Sequence, residues 1–194
     1  MKLFLLSFIA SALLMGCVVL FFSRNNTTVL GDKITAEKVN LIVFSDFECP
    51  ACANVEPLLK QAQAKFADQI NYQFRHFPLT SIHPYAMVTA KASEAAREQN
   101  KFWEMHDLLF AQQKEWSDLK SEAAVKNQLL MYAQNLGLDV EKFTTDLENE
   151  AIANRVLTDV SDANKLGLNS TPSIFINQQK TAPQDLIKNL ERSL

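Results

Sequence analysis

The sequence predicts an α/β sandwich with a block of helices inserted into it, preceded by an apolar N-terminal segment. Three observations predict this. Strand-like runs, "VNLIVFSDF" and "INYQFRHF", flank a stretch that reads as a helix; helical periodicity then holds over residues 84–166; and strand-like sequence returns at "STPSIFINQQK". Two strands before the helical block and two after it must share one sheet if all are to be buried.

The chain has 194 residues, 47% of them hydrophobic and 21% charged, which fits one globular domain with an ordinary core. Formal net charge is -3 and basic residues are scattered among acidic ones, so no electrostatic footprint for nucleic acid is present.

Residues 3–22, "LFLLSFIASALLMGCVVLFF", carry no charge and are long enough to cross a bilayer as a helix. The run exceeds the roughly 7 to 15 apolar residues of a typical signal peptide, which favours a retained signal-anchor over a cleaved signal. Lys2 and Arg24 lie on opposite sides of it, so the positive-inside count does not orient it. Placement of the domain outside the cytoplasm rests on the cysteine chemistry below. "LLMGC" resembles a lipoprotein processing site with Cys17 as the lipidated residue, yet the apolar run continues as "VVLFF". The retained anchor therefore ranks first, a lipoprotein second and release by signal cleavage third. Residues 23–38 are polar and lack an apolar period, as a linker does.

The domain spans 39–194. "VNLIVFSDF" is β-branched and aromatic without helical spacing, which suits a strand buried on both faces. A helix is predicted from Pro50 to about Phe66, since proline is favoured in a first helical turn, and Pro57 should kink it. "INYQFRHF" alternates as a strand does, completing a βαβ unit with parallel strands. In the block that follows, Tyr85, Val88, Ala92, Ala95, Phe102, Met105 and Leu109 recur at helical spacing, with a break near Asn100. Val125, Leu129, Tyr132 and Leu136, then Val140, Phe143 and Leu147, then Ile152, Val156, Val160 and Ala163 form further stripes. Gly137 and Gly167 fall where helix ends are expected. Strands at 173–177 and 179–181 and a helix from Pro183 close the chain.

"FSDFECPACANVEP" holds the chemistry. Three readings of Cys49 and Cys52 compete. A structural zinc site needs four ligands, but there is no second cysteine pair, and His76, His83 and His106 lack ligand spacing. A structural disulfide gains leverage from closing a long loop, which two cysteines three residues apart do not do. In a redox pair at the start of a helix, the first thiol lies where unpaired N–H groups and the helix dipole favour its thiolate, and the second lies nearly one turn later. The βαβ setting and the absence of other cysteines in the domain favour this third reading, with Cys49 as the exposed attacking thiol and Cys52 as the resolving one.

"FSDFECPAC", Pro57, "FRHFPL" with the following "HPYA", "KFWEMHDLLF" and "STPSIFIN" together resemble the DsbA-like branch of the thioredoxin superfamily, over a span from about Asn40 to the C-terminus. The resemblance implies a thioredoxin-like fold, a mixed disulfide formed by Cys49 and resolved by Cys52, and support from Pro50, Ala51, Thr171 and Pro172. It also implies that Thr171-Pro172 is the cis-proline pair that presents its backbone to an extended client. It implies no bound cofactor, exported client proteins, and a membrane partner, quinone-linked by family analogy, that restores the disulfide. The sequence departs from the family at Val43, where many relatives carry a buried acid that moves the resolving thiol's proton. Asp46 and Glu48 are out of register to replace it. Ala51 supplies no donor to the thiolate, and Glu48 would oppose it, so the pair is expected to be less oxidising than the strongest oxidases.

His76 and His83 are expected to cap or pack a loop, and Phe102, Trp103 and Phe110 to be packing residues. The function expected is an extracytoplasmic protein thiol-disulfide oxidoreductase that donates its disulfide. The alternatives are a reductase or isomerase of the same fold, or a non-catalytic metal-binding or client-holding module.

Overall fold

The computed structural model describes residues 38–194. The apolar segment 3–22 with Cys17, and the linker as far as residue 37, lie outside the described residues. Among the described residues no helix is long and apolar enough to cross a membrane.

The central strand is β1 (Val39–Ser45), whose seven residues are all buried, as a run of Val, Leu, Ile and Phe requires. It pairs in parallel with β2 (Ile70–His76), from Val39 opposite Ile70 to Ser45 opposite His76. On its other side β1 pairs antiparallel with β3 (Ser173–Ile176), and β3 pairs antiparallel with β4 (Gln179–Thr181). The sheet order is β2-β1-β3-β4, so strands from both sides of the helical block share one sheet, as expected. Helix α1 (Pro50–Lys65) joins β1 to β2 and runs unbroken through Pro57.

The two faces of the sheet are covered differently. Leu41 and Val43 of β1 and Ile174 and Ile176 of β3 pack against Val55, Leu59 and Ala62 of α1 and against Leu186 and Leu190 of α8 (Leu186–Ser193). The predicted last helix begins as a single 3-10 turn at Pro183–Asp185 before α8 proper. On the opposite face Phe44 meets Phe175 edge to face with centroids 6.2 Å apart, and the Arg75 guanidinium lies 5.4 Å from the Phe44 ring.

Between β2 and β3 the chain forms α2 (Ala86–Arg97), α3 (Phe102–Ala111), α4 (Gln113–Ser117), α5 (Glu122–Asn135), α6 (Val140–Leu147) and α7 (Glu150–Lys165). Local chemistry sets their ends. Ser121, Asp139 and Asn149 cap α5, α6 and α7 by accepting the N–H groups of Ala124, Lys142 and Ala151. Asn100, between α2 and α3, takes φ 60°, and Gly137 and Gly167 take φ 71° and 68° just past α5 and α7. The predicted stripes lie inward: Val88, Met105, Leu129 and Phe143 share one core with Phe47, Cys52 and Phe74. That core joins the block to the cysteine end of the sheet.

Charges also bind the block to the sheet. Arg75 of β2 donates from Nε to Asp159 and from Nη2 to Asp162 of α7, the latter at 2.7 Å. The buried Glu94 carboxylate of α2 accepts His76 Nε2–H of β2 at 3.0 Å, Arg97 Nε–H at 3.0 Å, and meets Arg155 Nε of α7 at 3.1 Å. Burial alone would raise the Glu94 pKa, but the hydrogen bonds from His76 and Arg97 outweigh it and hold the carboxyl down at about 2. A carboxylate with a depressed folded-state pKa contributes stability that is present above its unfolded value and lost as pH falls through its folded value. Glu94→Gln is therefore expected to lower stability at pH 6 by about 3 kcal/mol, since it also deprives the buried His76 of its carboxylate partner. The deficit relative to wild type should shrink as pH falls toward about 2, which urea denaturation across this range will measure.

Candidate active site

β1 ends at Ser45, and the next four residues turn the chain into α1. Asp46 holds this turn. Its buried carboxylate accepts the N–H of Glu48 at 2.8 Å, the N–H of Leu79 at 2.9 Å, and Nδ1–H of His83 at 2.7 Å. The turn is thereby fixed to the loop between β2 and α2. His83 packs that loop as expected, whereas His76 points instead into the Glu94 network.

Cys49 is the N-cap residue of α1, with extended φ and ψ of -75° and 119°, and Pro50 occupies the first helical turn. The Cys49 carbonyl accepts the N–H groups of Cys52 at 3.1 Å and Ala53 at 3.2 Å, as the carbonyl of a helix cap does. Cys52 therefore sits one turn inside the helix. Both cysteines are free thiols. The expectation of an exposed attacking thiol is corrected: Cys49 is only 7% exposed and Cys52 is fully buried, because Phe47 and the start of α1 fold the pair into the core. Pro50 and Ala51 are exposed.

The two thiols differ in acidity. A hydrogen bond from the Cys52 thiol is the largest influence on Cys49 and lowers its pKa to about 5. Burial opposes this, while Thr171 and the N–H groups of Cys52 and Ala51 reinforce it. Burial pushes the Cys52 thiol strongly upward, and the adjoining Cys49 adds to that. Glu48 does not oppose the thiolate in the way the sequence implied. Its carboxylate accepts the Tyr85 N–H at 2.6 Å, and burial raises its pKa toward the neutral form.

Two distant residues complete the site. Thr171, on the approach to β3, places its carbonyl oxygen 3.6 Å from Cys49 Sγ, and the Thr171-Pro172 peptide bond is cis. Gln113, the first residue of α4, donates from Nε2 to the carbonyls of Phe47 at 2.7 Å and Cys49 at 3.0 Å. Sequence reasoning missed Gln113, since a surface-type glutamine in a helical block gives no signal of a partner more than sixty residues earlier.

Val43 is fully buried among apolar side chains. The acid that sequence reasoning missed is Glu56, buried and four residues beyond Cys52, which its spacing places on the same face of α1. Phe102 and Phe110 are buried as expected, but Trp103 is 44% exposed and stands at the edge of a cavity that Glu56, Lys60 and His106 also line. Among the described residues no group of three or more His, Cys, Asp or Glu is placed to hold a metal ion.

The fold and the paired thiols define a thioredoxin-type domain with a helical insertion. The chain belongs to the thioredoxin family, whose model matches residues 23–194. Its fold is shared with BdbD from Bacillus subtilis, at a TM-score of 0.69 and 22% identity over 84% of this chain and 90% of that one. A thioredoxin-like oxidoreductase from Silicibacter pomeroyi aligns with a TM-score of 0.66 and 24% identity over 81% of this chain and 87% of that one. The oxidoreductase DsbA from Xylella fastidiosa aligns with a TM-score of 0.66 and 18% identity, covering 82% and 89%. These neighbours share the fold that the sequence resemblance implies. A curated relative, the Na(+)/H(+) antiporter NhaA 3 of Salinispora tropica, is 39% identical over 73% of this chain but only 20% of its own length. The corresponding protein of Herminiimonas arsenicoxydans is 35% identical over 74% of this chain and 21% of its own length. The chain spans about one fifth of the length of these relatives.

Rapid alkylation of the reduced protein is expected to modify Cys49 with a pH midpoint near about 5. Cys52 should stay unmodified over the same range, and mass spectrometry of the quenched products will assign the two.

Proposed function

We propose that the chain is a protein thiol-disulfide oxidoreductase in which Cys49 attacks and Cys52 resolves. The observation that carries this is the asymmetry of the pair: a thiol at the N-cap of α1 beside the Thr171 carbonyl, and a fully buried thiol one turn later. A low-pKa thiolate is a good leaving group, so a client thiolate that attacks the Cys49–Cys52 disulfide can end with the disulfide on the client and both cysteines reduced. Thr171, beside Cys49 and just before β3, is placed to offer its backbone to an extended client segment. Pro50 and Ala51 form the exposed rim. The redox-active pair needs no bound cofactor for this exchange.

In this reading the domain lies outside the cytoplasm, held at the membrane by residues 3–22, acts on exported clients, and is reoxidised by a membrane partner, quinone-linked by family analogy. Tethering keeps protein and partner at high effective concentration. The Cys49 pKa favours the oxidase direction, because stabilising the reduced thiolate makes a disulfide a stronger oxidant. Ala51 favours the reductase or isomerase reading, since its methyl side chain offers the thiolate no donor.

The reduction potential of the full chain, equilibrated with glutathione and read by alkylation and mass, decides between them. Disulfide donation predicts a value between about -120 and -180 mV, and a value near about -270 mV would assign a reductase instead. Cys49→Ser should abolish exchange with a reduced client, whereas Cys52→Ser, offered a client that carries a disulfide, should accumulate the mixed disulfide on Cys49 as the client's other sulfur leaves as thiolate.

A further inference from the structure

Four buried polar atoms without a hydrogen-bond partner among the described residues gather beside the helix that carries the cysteines: Glu56 Oε1 and Oε2, Tyr72 OH and His106 Nε2. Leaving such groups unpaired is costly, so a cluster of them calls for an explanation. Glu56 lies one turn beyond Cys52 on the same face of α1, and both are buried. Tyr72 is close enough to feel the charge of both, which raises its pKa beyond the effect of burial. On the far side of the carboxyl, His106 Nε2 stands 3.8 Å from Glu56 Oε1, longer than a hydrogen bond and short enough for one water or a small rotation to close. The other ring nitrogen, Nδ1, lies 2.9 Å from Asp107 Oδ1. Asp107 in turn is half exposed and paired with Lys60 at 2.8 Å. Glu56, Lys60, His106 and Asp107 line a cavity of ≈ 240 Å³ with Gln63 and Trp103, which has room for water.

We infer that Glu56, His106 and Asp107 form a proton relay that serves the Cys52 thiol from the helix side, in place of the strand acid that Val43 lacks. The inference rests on the dithiol reading above. When Cys52 resolves a mixed disulfide, its S–H proton passes to the Glu56 carboxylate and its sulfur bonds to the Cys49 sulfur. The bond between Cys49 and the partner sulfur breaks, and the electron pair leaves on that partner sulfur. In the opposite sense, a client thiolate opens the Cys49–Cys52 bond, Cys52 departs as thiolate, and it takes the proton back from Glu56. His106 is suited to the next transfer. Asp107 accepts its Nδ1–H, which leaves the Nε2 lone pair facing Glu56, and burial lowers the His106 pKa so that the neutral ring is favoured. Burial raises the Glu56 pKa to about 7, with Lys60 lowering it and Asp107 raising it further, so the carboxyl can take and give a proton near neutral pH. The titratable groups around Glu56 are thus Lys60 on its own helix, with Cys52 one turn earlier on the same face, Tyr72 on β2, and His106 and Asp107 on α3.

The test loads the full chain with glutathione on Cys49 and follows glutathione release by Cys52 from pH 5 to 9. In wild type the release rate should rise through an inflection near about 7 as Glu56 ionises. Glu56→Gln should lose that inflection and slow release at neutral pH by roughly 10²-fold, with Glu56→Asp restoring part of the rate. His106→Gln should slow release while keeping the inflection. Neither variant should move the pH midpoint of Cys49 alkylation, which a merely structural disturbance would shift. A Glu56→Gln protein with wild-type rate and pH profile overturns the relay and leaves the dithiol reading intact. A wild-type chain that releases no glutathione overturns the dithiol reading, and the relay with it.

Discussion

The Asp46 carboxylate is the constraint on which the site is built. A turn that ends a buried strand and starts a helix leaves backbone N–H groups without partners, and here one buried acid accepts from Glu48, Leu79 and His83 together. A carboxylate with three donors is well compensated for its burial. Because two of those donors lie on the loop after β2, the position of the cysteines is set relative to the whole sheet and not only to the strand they follow. Cys49 can then cap α1 with its backbone in place and its thiol turned toward Thr171.

Much of this was legible in the sequence, and the reasons are local. The βαβ unit, the helical stripes and the return to strands follow from apolar periodicity, which tertiary packing reinforces here. The ends of helices at Asn100, Gly137 and Gly167 follow from residues that tolerate positive φ. Cys49, Cys52 and the Thr171-Pro172 pair were legible through a motif and a resemblance. What escaped was long-range and polar. Nothing in the periodicity of the block assigns Gln113 to carbonyls at residues 47 and 49, or places His106 beside Glu56. Glu48 was misjudged because adjacency in sequence was taken for electrostatic contact, whereas its carboxylate reaches away to the Tyr85 N–H. Trp103 was misjudged because helical spacing does not tell the centre of a buried stripe from its border.

The distribution of buried charge separates two tasks. Glu94, with His76, Arg97 and Arg155, is fully partnered and joins β2, α2 and α7, so its role is to hold the insertion against the sheet. Glu56 and His106 are incompletely partnered and lie beside the cysteine helix. Satisfied networks fix structure, while buried groups left without full partners are available for chemistry.

The Gln113 clamp and the Thr171 contact have a consequence for biosynthesis. The cysteines are made early, at positions 49 and 52, but the groups that engage them arrive much later in the chain. A nascent polypeptide that has completed only its first βαβ unit carries both thiols without the Gln113 clamp on their backbone and without the Thr171 carbonyl beside Cys49. Its cysteines already act on one another through the start of α1, but the turn that carries them is not yet held from outside. The final geometry of the site, as distinct from the acidity of its thiol, is thus coupled to completion of the chain.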